Sequence, residues 1–137
     1  MFGFLFRPKS PTRDWVRSPG LRLTFDLDRT TLNGVSLGGD FQRLSFLGPD
    51  EDRKSSRAGV FCYYSLGLCV DAEIESSPSA VTCFQLVFHD PDEDRYETFA
   101  GSVLFRGRAA RLAETDVDGF VGHIGEPYWI DRDEDAD

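Results

Sequence analysis

The run Leu32 to Pro49, LNGVSLGGDFQRLSFLGP, limits the folds open to this chain more than any other stretch. Asn33-Gly34 sits between apolar neighbours and predicts a two-residue hairpin, because a type I′ turn needs positive φ at both central residues. Gly38-Gly39-Asp40 then opens a short helix with Asp40 as its N-cap. Phe41, Leu44 and Leu47 stand three apart and give that helix one apolar stripe. Gly48 suits a left-handed C′ position, and Pro49 forbids another turn.

Strands are expected on both sides of this unit. Leu21, Leu23, Phe25 and Leu27 alternate with Arg22, Thr24, Asp26 and Asp28, the period of a strand with one wet face. Downstream, Asp50 to Gly59 reads as a charged loop. Val60 to Tyr64 is a strand, Ser65-Leu66-Gly67 a tight turn, and Leu68 to Ile74 the returning strand. Ser76 to Ser79 turns again at Pro78. Val81 to His89 is the most apolar strand and reads as a central one, with Phe84, Leu86 and Phe88 on one face and Cys83, Gln85 and Val87 on the other. Asp90 to Glu97 is an acidic loop. Phe99, Gly101, Val103 and Phe105 alternate, and Arg106-Gly107 turns the chain into Ala109 to Leu112.

A second helix is predicted from Thr115. Thr115 and Asp118 have capping-box spacing, Val117, Phe120, Val121 and Ile124 share one face, and Gly125 with Pro127 ends it. Tyr128-Trp129-Ile130 could add a last strand. This TDVDGFVGHIGEP segment is a looser echo of the first helix and its stop, which predicts an internal duplication. The order ββα-βββββ-α predicts an α+β class: a mostly antiparallel sheet with two short helices packed on one face. No segment has the βαβ spacing of a parallel sheet.

At 137 residues the chain fits one domain, long enough to bury a core without disulfides. The expected division is an extended basic and aromatic arm over 1–20, a domain over 21–130 and an acidic tail over 131–137. In the arm, Phe2, Phe4, Leu5 and Phe6 beside Arg7 and Lys9 could touch an anionic membrane surface. Docking of those rings on the domain or a neighbour is the simpler expectation. The apolar run precedes its charges, the reverse of a secretory signal, and no run approaches the ~20 residues of a membrane span.

Charge narrows the partners. The formal net charge is −9, yet residues 1–20 carry four basic side chains against Asp14, which leaves −12 on the rest. An acidic body repels phosphate backbones, so nucleic acid is not an expected partner and a basic protein is. Cys62, Cys69 and Cys83 are odd in number and form no CxxC or Cys/His cluster, against both a disulfide framework and a zinc site. Buried free thiols in a reducing, cytoplasmic setting are the expectation.

One motif looks catalytic. Phe25-Asp26-Leu27-Asp28-Arg29-Thr30-Thr31-Leu32 resembles the DxDxT motif of haloacid-dehalogenase-type phosphatases. The resemblance implies Asp26 as nucleophile, Asp28 as general acid/base, and both as Mg²⁺ ligands. Against it, that family's strand is buried on both faces, whereas Arg22 and Thr24 make this one amphipathic. The only later lysine is Lys54, in a loop, and the chain lacks room for a doubly wound sheet. Two carboxylates on a solvent face are therefore expected. Asp90, Asp92 and Asp94 match the start of a calcium loop, but Arg95 replaces the needed Gly and Gly101 the needed Glu. His89 and His123 are isolated, and no GxSxG, P-loop or GxGxxG is present. No cofactor is expected.

A short helix ending in Leu47-Gly48-Pro49, followed by Ile124 to Pro127, is similar to two groups of small bacterial domains. These are the outer-membrane lipoprotein family of the barrel-assembly machinery and the β-lactamase-inhibitor-like proteins. Tyr63-Tyr64-Ser65-Leu66-Gly67-Leu68 and the run Phe99 to Gly107 also look like patterns in bacterial domains of this size. The resemblance implies protein binding without catalysis. The residues agree: Tyr63, Tyr64, Tyr128 and Trp129 are the candidate partner-binding side chains, since Tyr and Trp favour interface hot spots. The expected function is a non-enzymatic interaction module of inhibitor or immunity type, and the alternative is a Mg²⁺-dependent phosphatase using Asp26 and Asp28.

Overall fold

The computed structural model describes residues 10–87, 95–114 and 118–120. The class is α+β, as the sequence predicts, but the strands form two sheets rather than one. The first has the order β3-β2-β1-β7-β8 and the second β4-β5-β6. These strands are β1 (Thr24–Asp26), β2 (Thr31–Leu32), β3 (Val35–Ser36), β4 (Val60–Tyr63), β5 (Leu68–Glu73), β6 (Ala80–Leu86), β7 (Ser102–Phe105) and β8 (Arg108–Arg111). One hydrophobic cluster joins the sheets, with Phe25, Leu32, Val35 and Val103 from the first and Phe61, Tyr63, Leu68, Val70 and Val81 from the second.

Both glycine-containing hairpin turns are where the sequence puts them. Asn33 and Gly34 have φ of 48° and 84°, and Arg106 and Gly107 have 50° and 78°, the pair of positive values that a type I′ turn requires. Asn33 does more than turn the chain. Its Oδ1 accepts from the Thr24 amide at 2.7 Å, and its Nδ2 donates to the Arg22 carbonyl at 2.9 Å. The turn is thereby pinned to the entry of β1.

The predicted helix occupies Phe41–Leu47, and the Asp40 carboxylate accepts from the Gln42 amide at 2.9 Å. It is a 3₁₀ helix rather than an α-helix. Three residues per turn place Phe41, Leu44 and Leu47 in one line, and all three are fully buried. The stretch read as a charged loop also contains one helical turn, α1 (Arg53–Ser56), capped by Asp52 through the Lys54 and Ser55 amides.

Three expectations need correction. First, among the described residues β6 is an edge strand, touched on its outer side only by the Asp40–Ala80 bridge, and β5 is the central one of its sheet. The facing was read correctly, since Phe84 and Leu86 pack on the core while Cys83 and Gln85 lie on the other face. Apolar content does not by itself place a strand mid-sheet. Second, one parallel pair exists. β1 pairs with β7, Thr24 opposite Ser102 and Asp26 opposite Leu104. No βαβ unit makes it; the chain returns to β1 only after the whole second sheet is built, a connection that local spacing does not reveal. Third, residues 10–17 of the expected arm include side chains packed into the domain. Thr12 is buried, and Trp15, 8% exposed, rests on Phe41 with ring centroids 4.8 Å apart. Phe41 in turn meets Phe61 at 4.4 Å.

The second predicted helix lies outside the described residues except for 118–120, which are helical. The arm over 1–9 and the tail over 131–137 lie outside as well. The two sheets are not successive halves of the chain, because the first takes strands from both ends.

Candidate functional site

Asp26 and Asp28 stand at the carboxyl end of β1. Asp26 Oδ1 accepts from the amides of Asp28 at 2.9 Å and Arg29 at 3.3 Å, which shapes the turn into β2. Asp28 Oδ2 accepts from the Arg106 amide at 2.8 Å, where the β7–β8 hairpin carries its strained positive φ. Each carboxylate thus holds a different turn. β1 lies mid-sheet, between β2 and β7, yet its Thr24 and Asp26 remain half-exposed while Leu23 and Phe25 are buried. Among the described residues, no group of three or more His, Cys, Asp or Glu is placed to hold a metal ion.

The second candidate forms where the β4–β5 connection meets the segment after β6. Tyr63 and Tyr64 are adjacent in sequence but have opposite fates. Tyr63 is 0% exposed and donates from its hydroxyl to the Gly48 carbonyl at 2.8 Å. Burial, reinforced by the Asp50 charge, drives its pKa above the ordinary tyrosine value. It is a core residue whose polar end ties β4 to the stop of the 41–47 helix, so it presents nothing to a partner.

Tyr64 is half-exposed and starts the 3₁₀ turn Tyr64–Leu66. Its hydroxyl donates to Asp52 Oδ2 at 2.6 Å. That bond holds the Asp52 carboxyl below its usual pKa, aided by the Ser55 amide, and raises the Tyr64 phenol. Tyr96 meets the Tyr64 ring edge-on at 4.6 Å, and the Arg95 guanidinium lies 5.5 Å from that ring's centre. Glu51 accepts from the Ser65 hydroxyl at 2.8 Å and pairs with Arg17 at 3.8 Å. The Glu97 amide donates to the Tyr64 carbonyl at 2.9 Å, so a third carboxylate residue borders the same turn.

The chain matches no family model, no curated protein and no solved structure. Its own geometry therefore carries the functional reading.

Backbone crossing explains why this site is ordered. Gly67 has φ of 62°, and a Cβ there would collide with the Glu97 carbonyl oxygen and the Phe99 nitrogen. The segment 97–100 runs over this glycine and is stitched by Ala100 N to Leu66 O and by Phe99 N to Val87 O. Only a residue without a side chain permits that approach.

Tyr96 also neighbours two cysteines. Cys62 on β4 is directly opposite Cys69 on β5, and the sulfurs are 3.9 Å apart. Burial and the neighbouring Cys62 and Cys69 side chains hold the Tyr96 hydroxyl above its ordinary pKa. Burial pushes the Cys69 thiol up to about 12, with Cys62 adding to the shift. Cys83 on β6 is opposite Asp71 and is less buried. Sequence reasoning singled out Tyr64 and passed over Tyr96, Asp52 and the thiol pairing. A signal for the last was available: Cys62 and Cys69 are equidistant from the middle of the Ser65-Leu66 turn.

Tyr128, Trp129, His89, His123 and the Asp90, Asp92 and Asp94 run lie outside the described residues. Among the described residues, no helix is long and apolar enough to cross a membrane.

Proposed function

We propose that this chain is a non-enzymatic protein-interaction module that docks a basic partner on the patch around Tyr64 and Tyr96, in the manner of an inhibitor or immunity protein. The observation that carries the reading is the partly exposed, edge-to-face tyrosine pair bordered by Glu51, Asp52 and Glu97. Tyrosine supplies contact area at small entropic cost, and the carboxylates suit Lys or Arg on the other surface. The net charge of −9 would speed encounter with such a partner. The likeness of the helix-Leu-Gly-Pro element to protein-binding bacterial domains supports the same reading. Three free thiols accord with work in the cytoplasm.

The test is capture of a protein from the native lysate at low salt, repeated with Tyr96→Ala and with Glu51→Lys. Both substitutions are expected to weaken retention at least tenfold, and raised salt to weaken it further. Equal retention by the wild type and both variants would place the interface elsewhere.

A further inference from the structure

We propose that Cys62 and Cys69 are a site of reversible disulfide formation driven by a small hydroperoxide. The argument begins with backbone register. The Cys62 carbonyl accepts from the Glu51 amide at 2.8 Å, so it points away from β5. The Ala72 amide donates to the Gly59 carbonyl at 2.9 Å, and the paired positions run from Val60 and Asp71 to Tyr63 and Leu68. Both facts put Cys62 and Cys69 at a non-hydrogen-bonded position of the antiparallel ladder, where Cα atoms approach to about 4.5 Å. A disulfide tolerates Cα separations of about 4.4–6.8 Å, a range that includes this ladder position. The sulfurs are already 3.9 Å apart.

The location selects the oxidant. The two residues are 5% and 3% exposed, so a bulky disulfide has little surface to attack and a small oxidant such as hydrogen peroxide is the fitting one. One thiol loses its proton, and its sulfur attacks a peroxide oxygen; the O–O bond breaks, leaving a sulfenic acid and, after protonation, one water. The second sulfur then displaces the sulfenic hydroxyl, its own proton leaving with that hydroxyl as a second water. Two thiols and one peroxide become one disulfide and two waters. Cys83 has no such neighbour. It sits opposite Asp71, and its nearest cysteine is diagonal to it across β5, at a typical separation of about 7–8 Å.

The experiment uses the full chain under native conditions. The protein is treated with hydrogen peroxide, quenched, alkylated in denaturant and read by intact mass and peptide mapping. The expected result is a fall from three alkylated thiols to one, with a loss of roughly 2 Da in the mass taken before alkylation and a crosslinked peptide joining Cys62 to Cys69. Dithiothreitol should restore all three. Cys83→Ser should keep the crosslink, and Cys62→Ser and Cys69→Ser should each abolish it. If Cys62→Ser fails to fold, the wild type and Cys83→Ser still decide. Retention of both buried thiols while Cys83 alone is oxidised would overturn the proposal, as would a crosslink to Cys83 or between two chains.

Discussion

Replacing Trp15 with alanine tests whether the segment before the first strand belongs to the folded body. The ring is almost wholly covered, stacks at 4.8 Å on Phe41, and donates from Nε1 to Gln42 Oε1 at 3.2 Å. An aromatic of this size removes about 200 Å² from water. At about 25 cal/mol per Å² that amounts to about 5 kcal/mol. Unfolded chains are partly collapsed already, which trims the figure to about 3–4 kcal/mol. At about 3–5 °C per kcal/mol for a domain of this length, Tm should fall by about 10–20 °C. Urea unfolding followed by far-UV circular dichroism gives the free energy directly, and the slope should stay unchanged. Val16→Ala is the matched control, because Val16 is 79% exposed and should change stability by less than about 0.5 kcal/mol. A loss below about 1 kcal/mol for Trp15→Ala would refute the reasoning, for it would mean that residues 10–17 behave as a tether.

Gly67→Ala should cost at least about 2 kcal/mol by the same urea assay, since its Cβ would meet the backbone of 97–99 in a left-handed residue. Burial raises the Tyr63 pKa, so its contribution is complete below the unfolded value of 10.0 and is lost as pH climbs from there toward the folded value. Tm should therefore drop between pH 9 and pH 11, and Tyr63→Phe should flatten part of that slope. Asp52 shifts the other way: its stabilisation is present above 3.8 and fades as pH falls through its lowered folded value. Tyr64→Phe should therefore lose stability at pH 7, and its gap from the wild type should narrow when both are measured near pH 2.5. Finally, p-nitrophenyl phosphate with Mg²⁺ should give no turnover above the blank, because Asp26 and Asp28 are engaged with turn amides; turnover abolished by Asp26→Asn would reverse that assignment.

Features that depend on a few consecutive residues were legible before any coordinates. Asn33-Gly34, Arg106-Gly107 and the Asp40 cap each specify a local backbone shape, and each forms as read. The five successive strands after α1 were also recoverable, because alternation and turn residues are local signals. What failed were properties set by distant partners. Trp15 lies in a proline-rich stretch that composition marks as extended, and only its contact with Phe41 makes it core. Val81 to Leu86 is apolar enough for a central strand, yet nothing in those residues says that, among the described residues, its far side meets only the short Asp40–Ala80 bridge. Tyr63 and Tyr64 show how narrow the margin is. Tyr63 closes β4 with its ring in the core, whereas Tyr64 opens the 3₁₀ turn beyond the strand and stays half-exposed.

The β1–β7 pairing bears on how this protein is made. β1 leaves the ribosome roughly 75 residues before β7 does, and at about 5–20 residues per second the delay is about 4–15 s. Throughout that interval the nascent hairpin carries a bare edge, the kind that recruits a neighbouring nascent chain. The last strands to emerge therefore decide when the earliest become safe, and a translational pause between Leu86 and Ser102 should prolong the vulnerable period and raise the yield of insoluble product.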